Sequence, residues 1–178
     1  MALQFALDPE LTPRLLDEVV ALWTDVTNAG GAVGFVAPVT PERVRPVAEK
    51  AFAGVREGRD RFLAARDTED GSLAAILFIE DQRFNLFDHW RMLKRVMVHP
   101  RLQGRGYGLD LLREAERVAR TMGLEALQLS ARGGLGLESF YTRAGYKEVG
   151  RVPAAIRVAP GDDRDSIFFW LDLREDLR

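Results

Sequence analysis

Cysteine is absent from all 178 residues. That excludes disulfides, thiolate metal sites and a cysteine nucleophile, so any acyl group handled by this chain would not pass through an enzyme thioester. Histidine is scarce as well. His89 and His99 are too few and too poorly spaced to suggest a metal site, and none is expected. No long apolar run exists either: the longest, Leu73 to Ile79, falls far short of the roughly 20 residues that cross a bilayer. The opening segment MALQFALDPEL has no basic n-region, so the expectation is a cytoplasmic protein without membrane association. Excess charge of one sign is missing too. Lys and Arg number 25 against 27 Asp and Glu, a net charge of −2 with pI near 5.8, which argues against a dedicated nucleic-acid partner. What is present is a globular composition, 47% hydrophobic and 29% charged, in a length that suits one domain over residues 1–178.

The most informative stretch is RVMVHPRLQGRGYG, Arg95 to Gly108. It reads as the end of a strand (Trp90 to Val98), a stop at Pro100, and glycines at 104, 106 and 108 that open a long amphipathic helix from about Gly104 to Met122. Clustered glycines cost backbone entropy, and a helix start normally prefers a capping Ser, Thr, Asp or Asn. Without Cβ atoms, however, backbone N–H groups can close on an anion that the helix dipole also favours. A pyrophosphate is the natural guest. The P-loop string is absent, and the dinucleotide fingerprint fails because its third glycine would fall on Leu109 or Leu111. A second near miss, Gly134-x-Gly136-x-x-Ser139, carries serine at that third place and reads as a turn.

Elsewhere the patterns are regular. Leu3 to Leu7 reads as a short strand. Thr12-Pro13 and Thr40-Pro41 each start a helix, running to about Asn28 and Gly58, because proline tolerates the first helical position. Arg61 to Arg66, Leu73 to Glu80, Leu124 to Ser130, Tyr146 to Val152 and Ser166 to Leu173 read as further strands, with a short helix at Leu137 to Arg143 and a turn at residues 160–163. The loop between the first two helices, residues 28–38, is rich in glycine yet carries Val33, Phe35 and Val36. These either tuck into the core or, with Gly34, line a substrate pocket.

The string Gln103-x-x-Gly106-x-Gly108 after Val98-x-Pro100 resembles the acetyl-CoA motif of the GNAT acetyltransferase superfamily. SFYTRAGYKEVG, residues 139–150, is similar to the family's Phe-Tyr-x-x-x-Gly-Tyr/Phe signature, and together with GGAVGF it points toward the branch that includes tabtoxin-resistance acetyltransferases. The resemblance covers nearly the whole chain. It implies an α/β fold of the α+β mixed-sheet kind: about seven mostly antiparallel strands with two central strands splayed apart, flanked by about four helices. It implies acetyl-CoA as cosubstrate, with its pantetheine arm beside Val96, Met97 and Val98 and its pyrophosphate on Gln103, Gly104, Arg105, Gly106, Tyr107 and Gly108. Ser139 is a further cofactor contact on the same reading. A backbone N–H near Met97 would polarise the thioester carbonyl.

The resemblance also places Tyr141 as hydrogen-bond donor or general acid toward the departing sulfur. A primary amine of pKa ~10 must lose a proton to attack, and a thiolate whose conjugate acid lies near ~8.5 must be stabilised. For the base, Glu80 ends an apolar strand, and burial makes a carboxylate more basic. Asp88 and His89, also candidates for acceptor binding, enter the next strand, and a water chain is the remaining alternative. The expected activity is acetyl transfer to a primary amine of a small molecule in a ternary complex. A protein or peptide N-acetyltransferase and a non-catalytic acyl-CoA sensor are the alternatives, and the apolar segment 152–158 could serve a homodimer interface or a pocket lid.

Overall fold

A computed structural model describes residues 2–174. The tail beyond Arg174, read from sequence as solvated, lies outside the described residues. Strand order in the sheet is β1-β2-β3-β4-β5-β7-β6, with β1 Leu3–Leu7, β2 Arg61–Asp67, β3 Leu73–Glu80, β4 Trp90–Val98, β5 Ala126–Arg132, β6 Lys147–Ala159 and β7 Asp162–Asp172. The helices are α1 Pro13–Asn28, α2 Pro41–Arg56, α3 Tyr107–Thr121 and α4 Leu137–Arg143. This is the mixed seven-stranded sheet with four helices expected from the motifs. The residues group into two compact units, 2–81 with 93–115, and 82–92 with 116–174.

The first unit is built on antiparallel β1–β2–β3. Residues 73–79 of β3 are fully buried, as a near-continuous apolar run requires. Thr12 caps α1 by accepting a hydrogen bond from the Leu15 amide at 3.1 Å. α1 buries Leu15, Val19, Leu22, Trp23 and Val26, while α2 buries Val44, Ala48, Ala51 and Phe52. These meet Phe62 of β2 and Phe78 of β3, whose rings lie 4.9 Å apart. Each such fully buried ring contributes about 1.5–3 kcal/mol.

In the second unit, β5 pairs antiparallel with β7 from Ala126↔Asp172 to Arg132↔Ser166. It also pairs in parallel with β4 at Trp90↔Ala126, Arg91↔Leu127 and Met92↔Gln128, a ladder of three residue pairs. β6 and β7 form one long hairpin around Pro160–Gly161. Both strands exceed the ranges read from sequence. The polar residues that looked like a turn are cross-strand partners: Arg157 Nε lies 2.8 Å from Asp163 Oδ1. Segment 152–158 is therefore part of β6.

Candidate active site

β4 leads directly into the glycine-rich segment. The His99 amide donates to the Ala74 carbonyl at 2.8 Å, and Pro100–Leu102 forms a single 3-10 turn with Leu102 buried beneath it. Arg101 ties this turn to the β2–β3 connection, with its guanidinium 3.6 Å from the buried Asp67 carboxylate, 3.3 Å from Asp70 and hydrogen-bonded to Ser72. The Gln103 side chain, expected to reach the cofactor, donates to the Val98 carbonyl at 3.0 Å and so fastens the loop to the end of β4.

Beyond that brace the chain is open. Gly104 and Gly106 take φ values of 77° and 90°, and a Cβ on either would meet no atom within 4 Å. Left-handed residues cannot continue a right-handed helix, so α3 begins at Tyr107 rather than at Gly104. The Gly106 carbonyl accepts from the amides of Leu109 and Asp110 at 2.9 and 3.2 Å and closes the first turn, with Gly108 inside it. Gln103, Gly104, Arg105 and Gly106 are all exposed. An exposed, Cβ-free approach to a helix N-terminus fits a pyrophosphate. Gly134 in the second unit presents the opposite case. A Cβ there would run into Arg164 Nη1, so a guanidinium already covers that loop. Its reading as a turn agrees with this.

Within β4, Met97 is buried and Val96 and Val98 half-buried. Arg95 takes φ 55° in mid-strand. Its guanidinium is ion-paired with Glu80 and stacked over the rings of Trp23 and Phe78, with centroids at 5.1 and 5.8 Å. Lys94 Nζ stands 3.4 Å from the other Glu80 oxygen. Glu80, read from sequence as a base, thus has one cation on each oxygen. A left-handed backbone costs a non-glycine residue about 1–3 kcal/mol, which cation–π contacts of about 0.5–2 kcal/mol each offset. Sequence reasoning passed over Arg95 and Arg101. The only signal for Arg95 was the charged pair Lys94-Arg95 interrupting an apolar strand.

The loop after α1 is held by Asn28, whose side chain exchanges two hydrogen bonds with the Val39 backbone at 2.8 and 3.0 Å. The Val33 carbonyl accepts from Trp23 Nε1 at 2.8 Å, and Phe35 meets Trp23 edge-on at 5.8 Å. Val33 and Phe35 therefore rest against the core of the first unit, Gly34 is exposed between them, and Val36 stays 41% exposed.

In the second unit Tyr141 lies on α4, buried among Phe140, Tyr146 and Phe169 with centroids 5.0, 6.2 and 5.3 Å away. Burial pushes its hydroxyl up to about 12. The phenol therefore keeps its proton near neutral pH, with an O–H that is able to donate. Proton transfer from it to a thiolate of pKa ~8.5 is uphill. Burial also raises the Tyr146 hydroxyl, with Glu116 and Tyr141 adding to the shift. The exposed Ser139 hydroxyl lies 3.4 Å from the Gly136 carbonyl, to which it donates. Asp88 and His89 are exposed and precede the first residue of β4, whereas the glycine motif follows its last. Among the described residues no cluster of His, Asp or Glu could hold a metal ion, and no helix is long and apolar enough to cross a membrane.

A sequence model of the Acetyltransferase (GNAT) family matches residues 19–146. Among solved structures, the chain is similar to a protein provisionally assigned as a phosphinothricin N-acetyltransferase, at 24% identity and TM-score 0.81, covering 98% of this chain and 100% of that one. It is similar also to a ribosomal-protein-alanine N-acetyltransferase from Brucella melitensis, at 20% identity and TM-score 0.73, covering 97% and 99%. A provisionally assigned acetyltransferase from Salmonella typhimurium, solved with its cofactor acetyl-CoA, matches at 18% identity and TM-score 0.74, covering 98% and 96%. At these identities the likenesses bear on the fold.

Proposed function

Because the chain belongs to the acetyltransferase (GNAT) family, with acetyl-CoA as cosubstrate, we propose that it acetylates a primary amine of a small molecule by direct transfer in a ternary complex. The observation that carries this reading is the open pair of left-handed glycines, 104 and 106, between a braced strand end and the start of α3. Acetyl-CoA supplies an activated acyl carbon, which the amine nitrogen attacks as the C–S bond breaks, leaving an amide and the free thiol of coenzyme A. The amides around Gly104 to Gly108 hold the pyrophosphate. Backbone groups of Val96 to Val98 align the pantetheine arm, and an N–H at Val96 or Met97 polarises the carbonyl where charge develops. Tyr141 donates a hydrogen bond to the departing sulfur. The apolar loop 28–38, held in place by Asn28 and Trp23, supports an enclosed acceptor site and hence a small amine over an extended peptide.

The test is thermal stability with acetyl-CoA, coenzyme A, NAD and ATP side by side, followed by thiol release with small amines and with peptides. Stabilisation by acetyl-CoA and coenzyme A, with turnover of small amines, is the expected outcome. Preferential acetylation of peptides would overturn the acceptor assignment. Stabilisation by NAD alone would move the site to the Gly134 loop.

A further inference from the structure

We propose that Glu80 acts in the reaction through Arg95: their ion pair locks Arg95 in the left-handed conformation that aims the N–H of Val96 at the thioester carbonyl. Both are then positioning residues, and the amine proton is not taken by Glu80. The inference rests on the N-acetyltransferase reading above.

Two separate elements converge on this one side chain. α1 contributes Trp23, β3 contributes Phe78 and Glu80, and all of them meet the Arg95 guanidinium. A strand residue ordinarily has φ near about −120°, so the observed 55° is a rotation of roughly 175° about one backbone bond. It turns the two peptide planes flanking Arg95, the second of which carries the Val96 N–H. Such a conformation in a non-glycine residue persists only where the surroundings over-determine it, and here the surroundings are the anchors themselves. The Arg95 and Glu80 side chains are 21% and 17% exposed, so water competes weakly for either. A general base, by contrast, needs an oxygen turned toward the ammonium. Glu80 has Arg95 on one oxygen and Lys94 3.4 Å from the other.

A double-mutant cycle of Glu80→Gln and Arg95→Gly decides the matter. Glycine can adopt φ 55° but has no side chain to hold it there. Each single variant should lower kcat about 10–100-fold with the KM for acetyl-CoA nearly unchanged, the signature of misplaced reacting groups. The double variant should lose no more than the worse single one, since both remove the same anchor. The pH dependence of kcat in Glu80→Gln should keep its shape. Loss of the acidic limb in Glu80→Gln, together with a full further loss in the Arg95→Gly background, would identify Glu80 as the base and overturn the proposal. Hydrogen exchange of the peptide covering Val96 and Met97 needs no acceptor or turnover. It should speed up about tenfold in Glu80→Gln, and unchanged exchange overturns the anchor. If the parent neither binds acetyl-CoA nor releases thiol, the proposed function fails, while the exchange result still decides the anchor.

Discussion

Tyr141 is the residue at which pKa, burial and proposed role can be played against one another. Its removal as Tyr141→Phe keeps the ring packed against Phe169 and deletes only the hydroxyl. We expect kcat to fall about 10²-fold, the lower end for removing one positioned hydrogen-bond donor, with acetyl-CoA affinity unchanged. Kinetics equal to the parent's on a confirmed amine would remove Tyr141 from the mechanism. The same side chain has a stability signature. An ordinary phenol ionises near ~10 in the unfolded chain, while burial in the folded protein holds the hydroxyl back to about 12. Between those values the folded state keeps the proton that the unfolded state has lost. The contribution is therefore complete below pH ~10 and disappears as pH rises through 12. Melting curves from pH 9 to 12 should fall less steeply in Tyr141→Phe than in the parent, and parallel curves would contradict the buried-phenol account.

The segment between β4 and α3 works as an element, with a braced base and an open rim. Arg101→Ala attacks the brace. It leaves the buried Asp67 without its guanidinium, although the Glu69 amide still donates to that carboxylate at 3.0 Å. We expect a loss of about 1–3 kcal/mol in urea unfolding, with weaker acetyl-CoA binding as the turn loosens. Gly106→Ala attacks the rim. No neighbour obstructs the new methyl group, so the effect is conformational: φ 90° is unfavourable for any L side chain. Acetyl-CoA affinity should fall at least about tenfold as the loop shifts, with a smaller change in melting temperature. Unaltered affinity measured by calorimetry would show that the loop does not hold the cofactor. The glycine-rich turn between a strand and a long helix was legible, but the start of α3 was not. Spacing alone does not reveal that residues 104 and 106 are left-handed and so stay outside the helix. The helix starts at Thr12-Pro13 and Thr40-Pro41 were legible because local chemistry specifies them. β6 and β7 were read too short because Asp162 and Asp163 look like turn residues until they pair with Ala159 and Arg157 across the hairpin. Arg95 was least legible, since its backbone state is imposed by Trp23, Phe78 and Glu80, residues 15 or more positions away in the chain.

At the scale of the whole molecule the proposed cofactor should act as a stabiliser whose effect can be forecast. A ligand that binds only the folded state adds RT ln(1 + [L]/Kd), about 2.7 kcal/mol at a hundredfold excess over Kd. For a chain of 178 residues, each kcal/mol moves the melting temperature by about 2–4 °C. Saturating acetyl-CoA should therefore raise it by about 5–11 °C. Coenzyme A keeps the pyrophosphate and pantetheine and lacks only the acetyl group, so it should supply most of that shift. ATP offers phosphates without the pantetheine arm that β4 is proposed to align, and its shift should be much smaller. The Gly106→Ala variant makes the comparison diagnostic: its response to acetyl-CoA and to coenzyme A should shrink by the same amount, because the pyrophosphate contact is common to both. A variant that lost the response to acetyl-CoA alone would place the glycine loop at the acetyl end of the ligand and reverse the orientation assigned here.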